Sequence, residues 1–397
     1  MDQHRLASRS HRHLWRKAAA RYPRQGERQH PHHHVPGATP ADGRDRRRSA
    51  SAARRPRLPD LALQHRPGLC RGRPRADRFR VMSRYPRTVL GTVCLPWRDD
   101  GTLDEPLFRR TIQTLVSAGL PDLYIFGTAG EGYAVTDGMF RRVAAIFAET
   151  MREAGGAAPM VGIVSQSLAT MLERIAYCRT LGIDTFQISL PNWSVVTDNE
   201  LRRVFAELCG GFPEAKFLHY NLMRSGRLVS PRLYAELADT HPNLVATKYG
   251  GGDPFFISGL MKHAPQLRHF LTEQGYYIGA PLGACGLLTS ISSSHPARAF
   301  EYLNAGATGD WPRFATLYRE LCGVLHALLD SAGGSFVDGA YDKTILKLSE
   351  PDFPLKLLPP YETVGDAVFE AYRARLAAEF PEWLPGGPGG AAIAFSP

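Results

Sequence analysis

The sequence lacks the segments that direct proteins into or across membranes. It contains no run approaching the roughly 18 uninterrupted apolar residues that a membrane-spanning helix needs. Its N-terminus carries His4, Arg5, Arg9, His11 and Arg12 and lacks the apolar core of a signal peptide. These absences predict a cytoplasmic protein that has no membrane partner.

The sequence also lacks the spacings that hold metals and phosphates. Its six cysteines form no C-x-x-C pair, so neither a zinc site nor a disulfide framework is indicated. No G-x-G-x-x-G turn follows the first apolar run, where Leu95, Pro96, Trp97 and Arg98 stand instead. We therefore expect reduced thiols, no metal and no phosphate-bearing cofactor.

The excess of positive charge is confined to one end of the chain. The 397 residues carry a net charge of +10, but residues 1–81 hold 20 Arg and 1 Lys against 6 acidic residues. The remaining residues hold 27 basic and 32 acidic groups. Because 44% of the chain is hydrophobic and 22% is charged, we expect a globular protein whose folded part is mildly acidic. A nucleic-acid partner is not favoured.

Residues 1–81 show neither a helical nor a strand period and are rich in Arg, His and Pro. Such a segment buries too little apolar surface to offset its ordering entropy, which predicts disorder. Three interpretations stay open: a basic arm that binds nucleic acid or an anionic surface, a metal-binding tract at residues 31–34, and upstream sequence translated from a start codon assigned too early. Met82, just before the first periodic segment, favours the last of these.

From Thr88 onward, short apolar runs alternate with longer amphipathic ones. The runs typical of buried parallel strands cover residues 89–93, 123–126, 160–164, 185–189, 216–219, 244–247, 267–271 and 286–290. Helical patterns between them include residues 103–118, 137–153, 168–181, 199–208 and 231–239. Several begin at a capping residue, namely Asp104, Thr136, Ser167, Thr197 or Ser230.

This eightfold alternation predicts a (β/α)8 barrel over residues 82–308. A doubly wound open sheet is the alternative, but it would need a glycine-rich turn after the first strand. Further helical patterns at residues 310–329, 343–347 and 362–378 predict a C-terminal helical subdomain over residues 309–385. Residues 386–397 are expected to form a flexible tail.

Reactive side chains follow several predicted strands, at the end of a barrel where catalytic groups lie. Lys248 follows the sixth strand; an amine desolvated at that position could attack a carbonyl carbon. Tyr220 and Arg224 follow the fifth strand, and Tyr220 could move the protons that imine formation requires. The glycine-flanked turn 127–131 follows the second strand and offers backbone N–H groups to an anion. Each has a structural alternative. Lys248 could be a solvated surface lysine, and Tyr220 a packed aromatic ring. Arg224 could be a solvated loop cation, and the turn 127–131 only a tight connection between strand and helix.

The motifs and their order resemble the dihydrodipicolinate synthase / N-acetylneuraminate lyase family of class I, Schiff-base-forming aldolases and dehydratases. The resemblance covers about residues 86–380 and rests on Gly91-Thr92-Val93 with Pro96, G-T-A-G-E at 127–131, Y-N-x-x-R-S-G at 220–226, Lys248, and residues 283–286. It implies a (β/α)8 barrel with C-terminal helices, a homo-oligomer (a tetramer or a dimer) and no cofactor. It also implies an imine between a lysine and a 2-oxo acid.

The resemblance also assigns individual residues. By it, Lys248 forms the imine and Tyr220 is the proton-transferring phenol. Thr128 and the Ala129 N–H, with the adjoining Gly127, would bind the carboxylate of the 2-oxo acid. Arg224 corresponds to the arginine that binds a second carboxylate.

Three departures bear on the substrate. Ala129 stands where the family usually has a second hydroxyl, residues 191–194 replace a tyrosine pair, and the segment 220–226 is one residue shorter than usual. We therefore expect a lyase (aldolase) acting on a 2-keto-3-deoxy sugar acid or a similar 2-oxo acid. The alternatives are a dehydratase or hydratase-aldolase, for which Glu131 or Glu273 could supply an extra acid, a dihydrodipicolinate synthase-like condensation of pyruvate, and a non-catalytic barrel that binds a small acid.

Overall fold

The computed structural model describes residues 84–386, which form a parallel barrel followed by C-terminal helices. The strands are β1 (Gly91–Thr92), β2 (Leu123–Ile125), β3 (Met160–Ile163), β4 (Thr185–Ile188), β5 (Lys216–Asn221), β6 (Leu244–Tyr249), β7 (Arg268–Leu271) and β8 (Gly286–Leu287). Each strand pairs in parallel with the next one along the chain. This order is that of a barrel built from successive strand-helix units.

The barrel closes between β8 and the segment that leads into β1. Val89 forms a parallel bridge with Leu287. The Leu90 N–H donates to the Leu287 carbonyl at 2.9 Å, and the Leu287 N–H donates to the Thr88 carbonyl at 3.1 Å. The predicted (β/α)8 barrel is thus confirmed, and the open-sheet alternative is wrong.

The helices begin where the sequence places caps. They are α1 (Glu105–Ser117), α2 (Asp137–Glu153), α3 (Leu168–Thr180), α4 (Asp198–Phe205), α5 (Pro231–Thr240), α6 (Pro254–His263), α7 (Glu273–Gly279), α8 (Pro296–Thr308), α9 (Trp311–Ala332), α10 (Asp338–Leu346) and α11 (Asp366–Glu379). All five predicted N-caps accept a hydrogen bond from a backbone N–H of the first turn: Asp104, Thr136, Ser167, Thr197 and Ser230. The local sequence therefore sets the start of α1 to α5.

Because side chains alternate between the two faces of a strand, two of the predicted site residues point into the interior of the barrel. Leu218 on β5 and Ala246 on β6 belong to the apolar cluster of the interior. Because successive side chains of a strand point to opposite faces, Tyr220 shares the face of Leu218, and Lys248 shares the face of Ala246. Tyr220 and Lys248 are also direct partners in the register of the two strands. Both side chains therefore meet inside the barrel, near its C-terminal rim.

The helix α10 differs from its prediction in a way that matters for the site. The sequence predicts a helix over residues 343–347, whereas the structure begins α10 at Asp338. Gly339 in the first turn is a poor helix former, and burial against the barrel outweighs that preference. The additional turn places Asp338 and Asp342 four residues apart and therefore on one face of the helix.

Two enclosed charges join α10 to the barrel. Glu131, in the loop after β2, lies 2.6 Å from the Nζ of Lys343, and neither side chain is exposed. The Trp97 Nε1–H and the Leu358 N–H donate to the same carboxylate at 2.9 and 2.7 Å. Lys343 also donates to the carbonyl of Lys356. Because the two charges are paired and further hydrogen-bonded, they hold the loop and the helix in one arrangement.

The predictions for the N-terminal segment 1–81, including the basic arm and the His tract, and for Met82 lie outside the described residues. The same holds for the tail, apart from Gly386. These remain predictions. Between residues 84 and 386, none of the helices combines the length and the apolar character needed to cross a bilayer.

Replacing Glu131 by Gln should lower the free energy of unfolding by about 3–5 kcal/mol, because Lys343 would keep a buried charge without a counter-charge. Urea unfolding followed by tryptophan fluorescence measures the change, since Trp97 and Trp383 are buried. Glu149→Gln removes an exposed partner of Arg109 and serves as the matched control, with an expected loss below about 1 kcal/mol. Equal losses for the two variants would contradict the role given to Glu131.

Candidate active site

A cavity of about 240 Å³ lies at the C-terminal ends of the strands. We refer to it as the inner cavity. Residues that define it include Tyr124, Thr128, Ala129, Tyr220, Lys248 and Asp342. Four of the six residues predicted for the site, Lys248, Tyr220, Thr128 and Ala129, thus line one space.

Lys248 is almost completely enclosed, with 4% of its surface exposed. Its Nζ donates a hydrogen bond to the Tyr124 hydroxyl at 2.9 Å and lies 3.9 Å from the centroid of the Tyr220 ring. Burial lowers the pKa of the Lys248 amine to about 8, although the nearby carboxylates of Asp338 and Asp342 act in the opposite direction. A sizeable fraction of this amine is therefore uncharged and nucleophilic at mildly alkaline pH.

Tyr220 has a phenol that keeps its proton near neutral pH. Burial raises the pKa of Tyr220 to about 12, and the charge of Asp338 adds to this effect, whereas a hydrogen bond with Thr128 opposes it. The ring lies against the Lys248 amine. A protonated phenol at this position can first donate a proton to a leaving hydroxyl and can then take one back.

Tyr124 supplies a second phenol, which the sequence alone does not indicate. It lies on β2 among apolar neighbours, so its pattern is that of a core residue. Burial raises the pKa of this phenol well above its usual range, so its hydroxyl accepts the hydrogen bond of Lys248 as a neutral group. Gly127 makes room for the ring, because a Cβ at that position would lie 2.6 Å from the Cε2 of Tyr124.

The turn after β2 presents Thr128 and Ala129 to the inner cavity. Phe126, directly before the turn, and Glu131, its last residue, have left-handed backbones with φ values of 60° and 52°. Such a conformation costs a non-glycine residue roughly 1–2 kcal/mol. The buried contacts of Glu131 offset that cost and hold the turn in place. Gly127, predicted to take part in substrate binding, is not among the residues that line the cavity.

Three carboxyl groups line the inner cavity, contributed by Glu273, Asp338 and Asp342. Burial raises the pKa of Asp342 to about 7, although a hydrogen bond with Ser290 opposes this shift. Burial likewise raises the pKa of Glu273. Part of the Asp342 population therefore carries a proton at neutral pH and can donate it. Sequence reasoning misses both aspartates because it begins α10 too late.

Glu131 and Glu273 are the two candidates for an extra acid in dehydration, and only one of them lines the inner cavity. Glu273 lines the inner cavity. The carboxylate of Glu131 is engaged by Lys343, Trp97 and Leu358, and the side chain is fully enclosed. Glu131 is therefore a positioning residue for the turn and not a proton donor to substrate.

A larger cavity of about 560 Å³ shares Thr128 and Tyr220 with the inner cavity. We call it the outer cavity. Its lining is rich in hydroxyl and amide groups, contributed by Tyr133, Ser165, Gln166, Ser189, Asn192, Ser225 and Tyr361. Because the two spaces adjoin at Tyr220, a ligand that occupies the inner cavity can extend into the outer cavity.

The loop 191–194, which departs from the family pattern, borders this outer cavity. The Gln166 Oε1 accepts hydrogen bonds from the N–H groups of Asn192 and Trp193, both at 2.9 Å. The Asn192 side chain in turn donates to the Arg224 carbonyl at 3.0 Å. The loop is thus fixed by neutral amide groups, while the Trp193 side chain points away and is 93% exposed.

Arg224 lines the outer cavity, but its charge is already matched within the protein. Its guanidinium donates to the two carboxylate oxygens of Asp338 at 2.5 and 3.3 Å. It also donates to the Thr128 hydroxyl at 3.3 Å. Arg224 thus lies at the mouth of the site, as the sequence predicts. Its guanidinium is already bound to Asp338, a partner that the sequence does not indicate.

Comparison with known proteins agrees with the family resemblance of the sequence motifs. The model of the dihydrodipicolinate synthetase family matches residues 85–364. A 4-hydroxy-tetrahydrodipicolinate synthase from Exiguobacterium sp. is 23% identical over 269 residues, which cover 67% of this chain and 91% of that protein.

Two solved structures have a similar fold. One is a prophage protein of the dihydrodipicolinic acid synthase family from E. coli K12 in complex with pyruvate, with a TM-score of 0.66 at 17% identity over 74% of this chain and 98% of that one. The other is a catalytic lysine mutant of the sialic acid aldolase from Ruminococcus gnavus, with a TM-score of 0.64 at 15% identity over 73% and 96% of the two chains. At these identities, the likeness establishes the fold.

The lowered pKa of Lys248 predicts how its reactivity changes with pH. As the pH rises through about 8, the amine loses its proton, so its rate of reductive methylation by formaldehyde should rise and then level off. Peptide mass analysis follows Lys248 and the exposed Lys262 in the same samples. A midpoint for Lys248 near the ordinary lysine pKa of about 10.4 would contradict the effect of burial.

Proposed function

The chain belongs to the dihydrodipicolinate synthetase family of aldolase-type enzymes, and on that premise we propose that it is a Schiff-base lyase that cleaves a 2-keto-3-deoxy sugar acid or a similar 2-oxo acid. The observation that carries the proposal is the enclosed amine of Lys248, which lies beside a protonated phenol in a cavity. Pyruvate bound to the E. coli relative and the catalytic lysine named in the Ruminococcus gnavus aldolase support it.

Imine formation follows from the chemistry of these two groups. The uncharged amine of Lys248 adds to the ketone carbon of the substrate, and the former carbonyl oxygen becomes a hydroxyl group. Tyr220 donates the proton that lets this hydroxyl leave as water. The product is a protonated imine on Lys248, and its positive nitrogen can accept an electron pair.

Cleavage then uses the imine as an electron sink. A base removes the proton from the hydroxyl at C4, the C3–C4 bond breaks, and C4 becomes an aldehyde carbon. The electron pair of the broken bond moves to the imine nitrogen and leaves an enamine. Tyr220, deprotonated in the first stage, would serve as that base. Protonation of the enamine at C3 and hydrolysis of the imine release pyruvate and restore the amine.

The carboxylate of the 2-oxo acid would lie against Thr128 and Ala129, which line the inner cavity. Glu273, Asp338 and Asp342 line the same cavity, so the hydroxyl of Thr128 and the N–H of Ala129, and not these acidic side chains, would receive a carboxylate. The substrate would therefore bind with its acid group toward the turn after β2 and its chain toward the outer cavity.

Dehydration is a second candidate, and Asp342 is the observation that favours it. Loss of a hydroxyl from C4 needs an acid, and the pKa of about 7 caused by burial lets Asp342 supply a proton in the same cavity as Lys248. In that reaction, a proton leaves C3, and the C4 hydroxyl departs as water. Both reactions begin with the same imine.

The predicted oligomer, whether tetramer or dimer, the absence of a cofactor and the cytoplasmic location remain parts of the proposal. Each has a direct test, by sedimentation, by elemental and mass analysis of the purified protein, and by cell fractionation.

Borohydride reduction in the presence of pyruvate should leave a stable adduct on Lys248, because reduction traps the imine. Lys248→Ala should show neither the adduct nor turnover. Lys262→Ala, which removes an exposed lysine on α6, is the matched control and should trap pyruvate as the wild type does. An adduct that persists in Lys248→Ala, or a wild type that traps no 2-oxo acid, would overturn the proposed mechanism.

The two candidate reactions differ in their response to Asp342→Asn. A lyase should release pyruvate from 2-keto-3-deoxygluconate, and the variant should change that rate by less than about tenfold, because Tyr220 carries the proton transfers. A dehydratase should instead release water, and the variant should lose a factor of about 10² to 10⁴. A lactate dehydrogenase assay for pyruvate, together with mass analysis of the products, distinguishes the outcomes.

A further inference from the structure

We infer that Asp338 is a specificity-determining residue, which engages Arg224 so that the outer cavity accepts the uncharged, hydroxylated end of a substrate in preference to a carboxylate end. The inference rests on the proposed lyase function and names the class of aldehyde that this site takes. It assigns to α10 a part in selecting the substrate.

The chemistry of the outer cavity supports this class of ligand. Its polar lining consists of hydroxyl and side-chain amide groups, and Arg224 is its one charged residue among those described. Hydroxyl and amide groups donate and accept hydrogen bonds, so they match the hydroxyl groups of a sugar chain. They offer no net charge to a second carboxylate.

The contact between Arg224 and Asp338 offsets the attraction that Arg224 would have for an anion. Both Nη atoms of the guanidinium face the carboxylate, at 2.5 and 3.3 Å, in the paired geometry that arginine forms with carboxylates. A substrate carboxylate would have to displace Asp338 and leave its charge unpaired beside Asp342. That competition disfavours a dicarboxylate substrate and has no effect on a hydroxymethyl end.

The placement of Asp338 makes this pairing a property of the fold. Asp338 opens α10, and five residues later Lys343 is held in the buried pair with Glu131. The carboxylate is therefore brought to the rim by a fixed helix. Arg224 considered without Asp338 would predict a preference for a carboxylate end over a hydroxylated one.

Two aldehydes of the same length test the inference. Glyceraldehyde and tartronate semialdehyde differ only in ending with a hydroxymethyl group or a carboxylate, and each can condense with pyruvate. The wild type should use glyceraldehyde with a kcat/KM at least about tenfold higher. In Asp338→Asn the freed Arg224 should raise the kcat/KM for tartronate semialdehyde at least about tenfold, a factor well within the strength of one charge-assisted hydrogen bond. The value for glyceraldehyde should change little.

Two further variants control for indirect effects. Asp338→Asn combined with Arg224→Ala should lose the gain with tartronate semialdehyde. Asp366→Asn removes an exposed carboxylate at the start of α11 and should keep the wild-type ratio. An unchanged ratio in Asp338→Asn would overturn the inference, and so would a wild type that prefers tartronate semialdehyde.

A binding measurement keeps this inference separate from the proposed function. Calorimetric titration of glycerate into the wild type, Asp338→Asn and the double variant needs no turnover. Tighter binding in Asp338→Asn that the double variant lacks would support the inference, and equal binding in all three would overturn it. Failure of pyruvate to form an adduct would remove the proposed lyase function without altering that comparison.

Discussion

The buried contact between Glu131 and Lys343 is the interaction on which the arrangement of the site depends. Glu131 ends the turn that presents Thr128 and Ala129, whereas Lys343 follows Asp342 directly along α10. One ion pair therefore sets the distance between two walls that come from distant parts of the chain. Its hydrogen bonds with Trp97 and Leu358 satisfy the carboxylate, so the pair can remain enclosed without an unmet charge.

Two opposing influences act on the pKa of Lys248, and burial is the larger of them. Enclosure favours the uncharged amine, and the aspartates of α10 favour the charged one. A carboxylate in direct contact would hold the amine protonated, but the hydrogen-bond partner is the neutral phenol of Tyr124. The pKa of the amine therefore lies near 8, so that both its charged and its uncharged form are present at mildly alkaline pH.

Local signals sufficed for much of the fold and for part of the site. The caps of α1 to α5 and the alternation of strands and helices led to the barrel, because each depends on residues close together in the sequence. The family motifs led to Lys248 and Tyr220, which the structure brings into register. What depends on tertiary packing was missed: the first turn of α10, and with it Asp338 and Asp342. Tyr124 was not predicted as a site residue because a tyrosine inside a buried strand has the pattern of a core residue.

The two cavities meet at Tyr220 and Thr128, and their sizes are unequal. The inner space, about 240 Å³, contains Lys248, Tyr220 and Asp342, so under the proposed mechanism most substitutions in it would affect the chemical steps. The outer space, about 560 Å³, offers many separate hydrogen-bonding groups to a ligand. Under the proposed mechanism, substitutions in the outer wall other than at Thr128 and Tyr220 would alter the preference for chain length or stereochemistry and would leave the bond-breaking groups intact. Such a division of the site would keep one fragment of the proposed substrate constant and leave the other free to diverge.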